Sequence, residues 1–233
     1  MRSFVGIDYS INKPAITLYF KGFFHFFFFP LSLKKKDIQA YANIKDVTCI
    51  NRDLGIIDTT KLSVSSLAKE HTKRSIELSN LILDTLDQHL FSDKDFEPSD
   101  CWLSSEGLAF SSSGDAALNL ASNKGVFLGK LYEHINITNI FTYSPISIKS
   151  IAGCAKKECI KDKTCMIKAF CAEEFINDSD FKNKVADGTL TKTKNYYPGI
   201  DDIVDSYWCL KTMYLKEKLL GIPEFDYGKI HRA

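Results

Sequence analysis

The sequence predicts an α/β layer structure. Two observations predict it. Three apolar runs separated only by turn residues open the chain, and beyond about residue 100 short apolar runs alternate with longer stretches of helical period. The first run covers residues 4–9 and reads as a strand. Lys13-Pro14 turns it into a second strand, Ala15–Phe20, and Lys21-Gly22 makes a hairpin into a third, Phe23–Phe29, which Pro30 ends. Residues 31–70 carry a cluster at Lys34-Lys35-Lys36 and weak strand signals at Val47–Ile50 and Leu54–Ile57. From about Arg74 to Leu90 the period becomes helical, with Leu78, Leu81, Ile82 and Leu86 near one face. A polar loop over 91–99 leads to a buried strand at Cys101–Ser105. Ser111-Ser112-Ser113-Gly114 signals the start of a helix that runs to about His134, with Ala117, Leu120, Ala121, Leu128 and Leu131 on one stripe. Ile140–Tyr143 is a short strand, Pro145 suits the first turn of the next helix, and Lys163–Phe175 is helical again. Residues 177–199 read as polar and irregular, and a last helix spans Ile200–Leu219.

The length of 233 residues suffices for one domain with a sizeable core, and no repeat or linker divides it, so residues 1–233 are expected to form a single unit. Apolar residues at 45% and charged residues at 25% are ordinary for a globular chain. A formal charge of +1 argues against a broad basic coat and leaves room for a local basic groove beside an acidic site. Seven cysteines, an odd number, with no signal peptide ahead of them, imply a reduced, cytoplasmic compartment. The Phe23–Pro30 run is too short to cross a bilayer, so no membrane partner is expected.

Four acidic residues stand out among 29 because of their neighbours. Asp8 closes the first apolar run, where a charge is costly without a partner or a metal. Glu106 ends Cys101-Trp102-Leu103-Ser104-Ser105 in the same way. Asp202 and Asp205 sit three apart at a helix start, on one face, beside Ile203, Val204, Tyr207 and Trp208. Brought together, the four would suit divalent cations and phosphodiester cleavage. Asp201, four residues before Asp205, is a rival for the place of Asp202. Other motifs fail. Gly125–Lys130 has three residues between its glycines, against four in a phosphate loop, and lacks the following Ser or Thr. Cys154, Cys159, Cys165 and Cys171 contain no zinc-type pair, the five histidines are scattered, and there is no serine nucleophile elbow.

In order and spacing these acids resemble the RuvC family of Holliday junction resolvases, within the RNase H-like superfamily. Gly6-Ile7-Asp8 resembles the family's first motif. Glu106, with Phe110 and the Ala117-Leu118…Gly125 stretch, resembles the second, and Pro145…Ile148-Lys149 with Gly153-Cys154-Ala155-Lys156 resembles the basic segment that follows. Asp202-Ile203-Val204-Asp205 resembles the C-terminal Asp-x-x-Asp helix. The resemblance covers roughly residues 4–20 and 100–215. Tyr9-Ser10 replaces the family's Pro-Gly, and a segment at about 30–100 is divergent, which suits a phage or other mobile-element enzyme acting in its host's cytoplasm.

The resemblance implies an RNase H-like mixed sheet, its antiparallel N-terminal meander flanked by helices. It implies a structure-selective endonuclease that resolves four-way junctions by paired nicks, with Asp8, Glu106, Asp202 and Asp205 as catalytic metal ligands. Two Mg²⁺ per site would serve, with Mn²⁺ able to substitute. Phe110 would stack on or wedge between bases, and Lys149, Lys156 and Lys163 would meet phosphates. The chain would act as a homodimer through the 114–134 helix, the small Ala117, Ala121 and Gly125 permitting close approach and Leu128 and Leu131 adding apolar burial. Two alternatives stand beside this: an RNase H-like nuclease on flap, branched or RNA/DNA hybrid substrates, and a non-catalytic module that binds branched DNA. Actin-like kinases share the strand–Gly-x-Asp opening, but the Gly-rich phosphate loops they need are missing.

Overall fold

The computed structural model describes residues 2–54, 63–107, 114–135, 139–156, 159, 163–192 and 195–217. Phe110 and most of the Leu54–Ile57 strand candidate lie outside these described residues. Strands β1 (Ser3–Asp8), β2 (Ala15–Phe20) and β3 (Phe23–Phe28) form the antiparallel meander. Strand β4 (Val47–Cys49) runs parallel to β3 at one edge. Strand β5 (Cys101–Glu106) runs parallel to β1, and β6 (Asn139–Tyr143) parallel to β5. The six-stranded order is β4-β3-β2-β1-β5-β6. A meander continued by parallel strands, with helices on both faces, is the RNase H-like arrangement expected from the sequence.

Alternation along β1 divides the molecule into two cores. Val5, Ile7 and Tyr9 face helices α2 (Val64–Leu86) and α3 (Gly114–Ile135), packing with Leu78, Ile82, Phe127 and Leu131. Phe4 faces the opposite side, where α4 (Pro145–Ile151), α5 (Lys163–Cys171) and α7 (Ile200–Lys216) cover the sheet. Gly6 lies on that side too, and a Cβ there would stand 2.1 Å from the Ser206 carbonyl oxygen and 2.7 Å from the Leu210 Cβ. Only glycine therefore lets α7 lie directly on β1. A buried hydrogen bond of 2.8 Å between Thr17 and Ser206 hydroxyls fastens α7 to β2 as well.

The undecided stretches hold small elements that tertiary contacts support. Helix α1 (Lys35–Tyr41) follows the lysine cluster and is tied down by the Tyr41 hydroxyl on the Pro198 carbonyl at 2.6 Å and by an Asp37–Lys192 ion pair. Residues 177–199 are not irregular throughout. They form α6 (Asp180–Ala186) and a hairpin of β7 (Thr191–Lys192) and β8 (Asn195–Tyr196). Ser179 caps α6, accepting from the Lys182 amide, and Asp46 braces that start by accepting from the Ser179 hydroxyl and the Phe181 amide. Helix α2 starts at Val64, well before Arg74, and α5 stops at Cys171 with a short 3₁₀ turn at Glu174–Ile176.

The face of α3 also needs correcting. Leu131 is fully buried in the chain's own core and so is closed to a second copy, while Leu128 is half-buried against that core. The side chain of Ala117 is outside what is described. The exposed face of α3 carries Ser122, Gly125, Gly129 and Tyr132, the last 56% exposed. Among the described residues no helix is long and apolar enough to cross a membrane, and all seven cysteines are free.

Candidate active site

The parallel register of β1 and β5 sets Ile7 beside Ser105, so Asp8 and Glu106 are the next residues of two neighbouring strands. Both point to the α7 side, sharing it with Gly6 and Trp102 by alternation. Helix α7 starts at this end of the sheet. Its N-cap, Gly199, has φ of +100°, and a Cβ there would stand 2.2 Å from the Phe28 ring. That close seat fixes where the first turn emerges, and Asp201, Asp202 and, one turn on, Asp205 emerge with it. Asp8, Glu106, Asp202 and Asp205 are all half-buried.

These carboxylates act on one another. Burial, then the charges of Asp205, Asp202 and Glu106, hold Asp8 well above the usual carboxylate range, with Lys163 pulling back. Asp205 is pushed up to about 7 by burial and by Glu106, Asp201 and Asp202. Asp202 is pushed up to about 7 by burial and by Asp201. Glu106 is raised by burial, eased by Lys149, Lys124 and Lys163. Like charges gathered without sufficient counter-charge raise each other's pKa in this way, and such groups mark functional sites. Asp201 behaves differently. Burial raises it, but its bond with Lys163 at 2.5 Å and the charges of Lys163 and Lys13 carry it below the usual value.

Whether this set suits a divalent cation can be judged from its donors. All are hard carboxylate oxygens, the preference of Mg²⁺. Asp202 Oδ2 is buried and has no hydrogen-bond partner, an acceptor left open in a cluster of acids. Among the described residues no group of three or more acidic, histidine or cysteine side chains is arranged so as to hold a metal ion. The fit is therefore one of donor chemistry, charge and convergence, with side-chain adjustment needed to complete coordination.

The structure brings Lys149 (α4) and Lys163 (α5) within electrostatic reach of the acids. Lys156 lies exposed on the bend after α4. Two further lysines belong to the neighbourhood. Lys124 of α3 is only 9% exposed and donates to the Glu106 carbonyl oxygen at 2.7 Å. Lys13, in the β1–β2 turn, acts on Asp201 and Asp202. A signal for Lys124 existed in the sequence: it interrupts the apolar stripe Ala117, Ala121, Leu128, Leu131 at the position where an apolar residue belongs. Lys13 carried no such mark.

Fold and site define an RNase H-like α/β scaffold with a four-carboxylate cluster where β1, β5 and α7 meet. No protein-family model matches the chain, and no curated protein matches it. Solved structures that it resembles include Thermus thermophilus RuvC, at 15% identity and a TM-score of 0.45. They also include T. thermophilus RuvC in complex with a Holliday junction substrate, at 13% identity and a TM-score of 0.44. Each alignment covers 93% of this chain and 96% of the other. Likeness at this level adds no weight to the site, which rests on the strand order and side chains described above.

Proposed function

We propose that this chain is a single-unit, metal-dependent endonuclease of the RNase H-like fold that resolves four-way DNA junctions by paired nicks. The observation that carries the nuclease reading is the convergence of Asp8, Glu106, Asp202 and Asp205 from three separate elements, with Asp202 Oδ2 buried and unpartnered. The four-way junction as substrate rests on the sequence resemblance. Asp8 and Glu106 would hold divalent cations from the strand ends, Asp205 and Asp202 from the helix. Two Mg²⁺ there would supply the charge that activates a water and stabilises the leaving 3′ oxygen.

The other steps belong to the chain's own groups. Four clustered carboxylates repel a phosphodiester, and Lys149 and Lys163 set positive charge beside them to draw one in. Lys124, on the Glu106 carbonyl, steadies the end of β5. Lys156 and Phe110 would extend contact along the DNA, the one to a phosphate and the other to a base. A second copy, docked through the exposed face of α3, would supply the second nick.

The test is cleavage of matched four-way junction, flap, linear duplex and RNA/DNA hybrid substrates with Mg²⁺, by wild type and by Asp8→Asn. Paired nicks on the junction by wild type alone are expected. Preferential cutting of flap or hybrid would retain the chemistry and change the substrate. Junction binding without any metal-dependent cutting would leave a non-catalytic module.

A further inference from the structure

Asp201 and Asp202 are adjacent on α7 and hydrogen-bonded side chain to side chain, and beyond that bond their surroundings differ. The Asp201 carboxylate is bonded to the Lys163 ammonium at 2.5 Å, while Asp202 Oδ2 is buried with no partner at all. Their carboxylates are close enough to hydrogen-bond to each other, and both raise Asp205, yet Asp201 is the one bonded to Lys163. Lys163 is the first residue of α5, and α5 is locked to α7 by the Trp208 indole N–H on the Met166 carbonyl at 3.2 Å and by Phe170 against Tyr207 at 5.1 Å. Both partners therefore hang from rigid elements. The lysine side chain is nonetheless 69% exposed, so its ammonium stays open to a ligand. Exposed ion pairs add little stability, and the consequence of this one lies in where it places a charge. Lys163 is held at the rim of the acid cluster instead of sweeping through solvent.

We propose that Asp201 is a positioning residue, which holds the Lys163 ammonium at the mouth of the carboxylate cluster so that a phosphate oxygen of the bound strand meets a pre-placed cation. Asp201 is not a metal ligand. A surface pair with no role in the reaction would leave the rate untouched when broken, and a ligand would alter the metal requirement. Positioning predicts neither. This rests on the nuclease reading above, and the experiment separates the two.

Single-turnover cleavage of a four-way junction, titrated with Mg²⁺, is measured for wild type, Asp201→Asn, Lys163→Met, the double variant, Asp201→Glu, Asp202→Asn and Asp8→Asn. Asp201→Asn and Lys163→Met should each slow cleavage about tenfold, and the double variant should be no slower than Lys163→Met alone. Asp201→Glu should recover most of the rate. The Mg²⁺ midpoint of Asp201→Asn should stay within about twofold of wild type, while Asp202→Asn shifts it or abolishes cleavage. Any of three results overturns the proposal while the nuclease reading stands: Asp201→Asn as fast as wild type, single effects that multiply in the double variant, or a raised Mg²⁺ requirement in Asp201→Asn. Wild type as inert as Asp8→Asn on every substrate overturns the nuclease reading, and this proposal with it.

Discussion

Asp8 ends a strand whose other side chains on that face are Phe4 and Gly6, so it contributes charge where the chain otherwise contributes packing. Replacing it with Asn keeps the shape and removes the charge. Cleavage is expected to fall by about a thousandfold or more, as for loss of an essential catalytic group, with junction binding in Ca²⁺ retained; a gel assay of both properties checks it, and cleavage within tenfold of wild type would sink the assignment. A second prediction concerns pH. Asp202 and Asp205 titrate at about 7 in the folded chain, against about 3.9 when unfolded. The folded state then binds more protons between those values, so metal-free stability should fall as pH rises from about 4 through 7 and level off above. Carboxylates held low by their partners, such as Asp93 by Lys21 and Asp180 by the Lys45 amide and Lys184, work in the opposite sense at lower pH, and so, within the window, does His25, whose imidazole is held low by burial. Thermal melts in EDTA should show a lower Tm at pH 8 than at pH 5, and Mg²⁺ should restore stability at pH 8. A Tm in EDTA that rises over that interval in a His25→Gln variant would contradict the upward shift that burial and mutual repulsion give these acids. These four acids were legible in the sequence because each closes an apolar strand or opens an amphipathic helix, where a charge needs a reason. Lys13 was not, since only the fold of the turn brings it to the cluster, and the same holds for the Asp201–Lys163 pair, whose partners are 38 positions apart.

At the scale of elements, strands β1 to β3, β5 and β6 and the long helices could be read from apolar period and turn residues. What escaped were α1, α6 and the β7–β8 hairpin, all short, whose stability comes from distant partners: Pro198 for Tyr41, Lys192 for Asp37, Asp46 for the start of α6. Short helices are marginal by themselves, so local sequence marks them weakly. The junction of β1 with α7 is the contact on which the site depends. A methyl group at Gly6 has no room against the Ser206 carbonyl and Leu210. Gly6→Ala should displace α7 and cost about 1–3 kcal/mol, the usual penalty of overpacking. Because α7 carries Asp202 and Asp205, cleavage should fall far more than stability does. Denaturant unfolding and single-turnover rates on the same preparation test this. Full activity in a stable Gly6→Ala protein would show that the close approach of α7 is not what assembles the site.

For the whole molecule, one copy offers one carboxylate cluster, whereas the proposed resolution of a four-way junction needs two cuts. The sequence reading of α3 as a dimer surface mixed residues of two faces, Gly125 with Leu131, because a small-residue stripe and an apolar stripe overlap in the same helix and only the sheet decides which turns inward. The inward side carries Phe127 and Leu131, and the outward side carries Gly125 and Gly129, where, among the described residues, nothing beyond the helix's own backbone and chain neighbours lies within 4 Å of where a Cβ would stand, beside the exposed Tyr132. A large side chain at either glycine is therefore harmless to the monomer and obstructive to a second helix laid across it. Gly129→Trp should leave the melting temperature within a few degrees of wild type, the helix gaining slightly from losing a glycine. It should also shift sedimentation from dimer to monomer at micromolar concentration. On a four-way junction the variant should yield single nicks in place of paired ones, since each cluster then acts alone. A wild-type chain that sediments as a monomer, or a Gly129→Trp variant that stays dimeric with paired nicks, would move the interface off this face while leaving the carboxylate cluster and its chemistry as they stand.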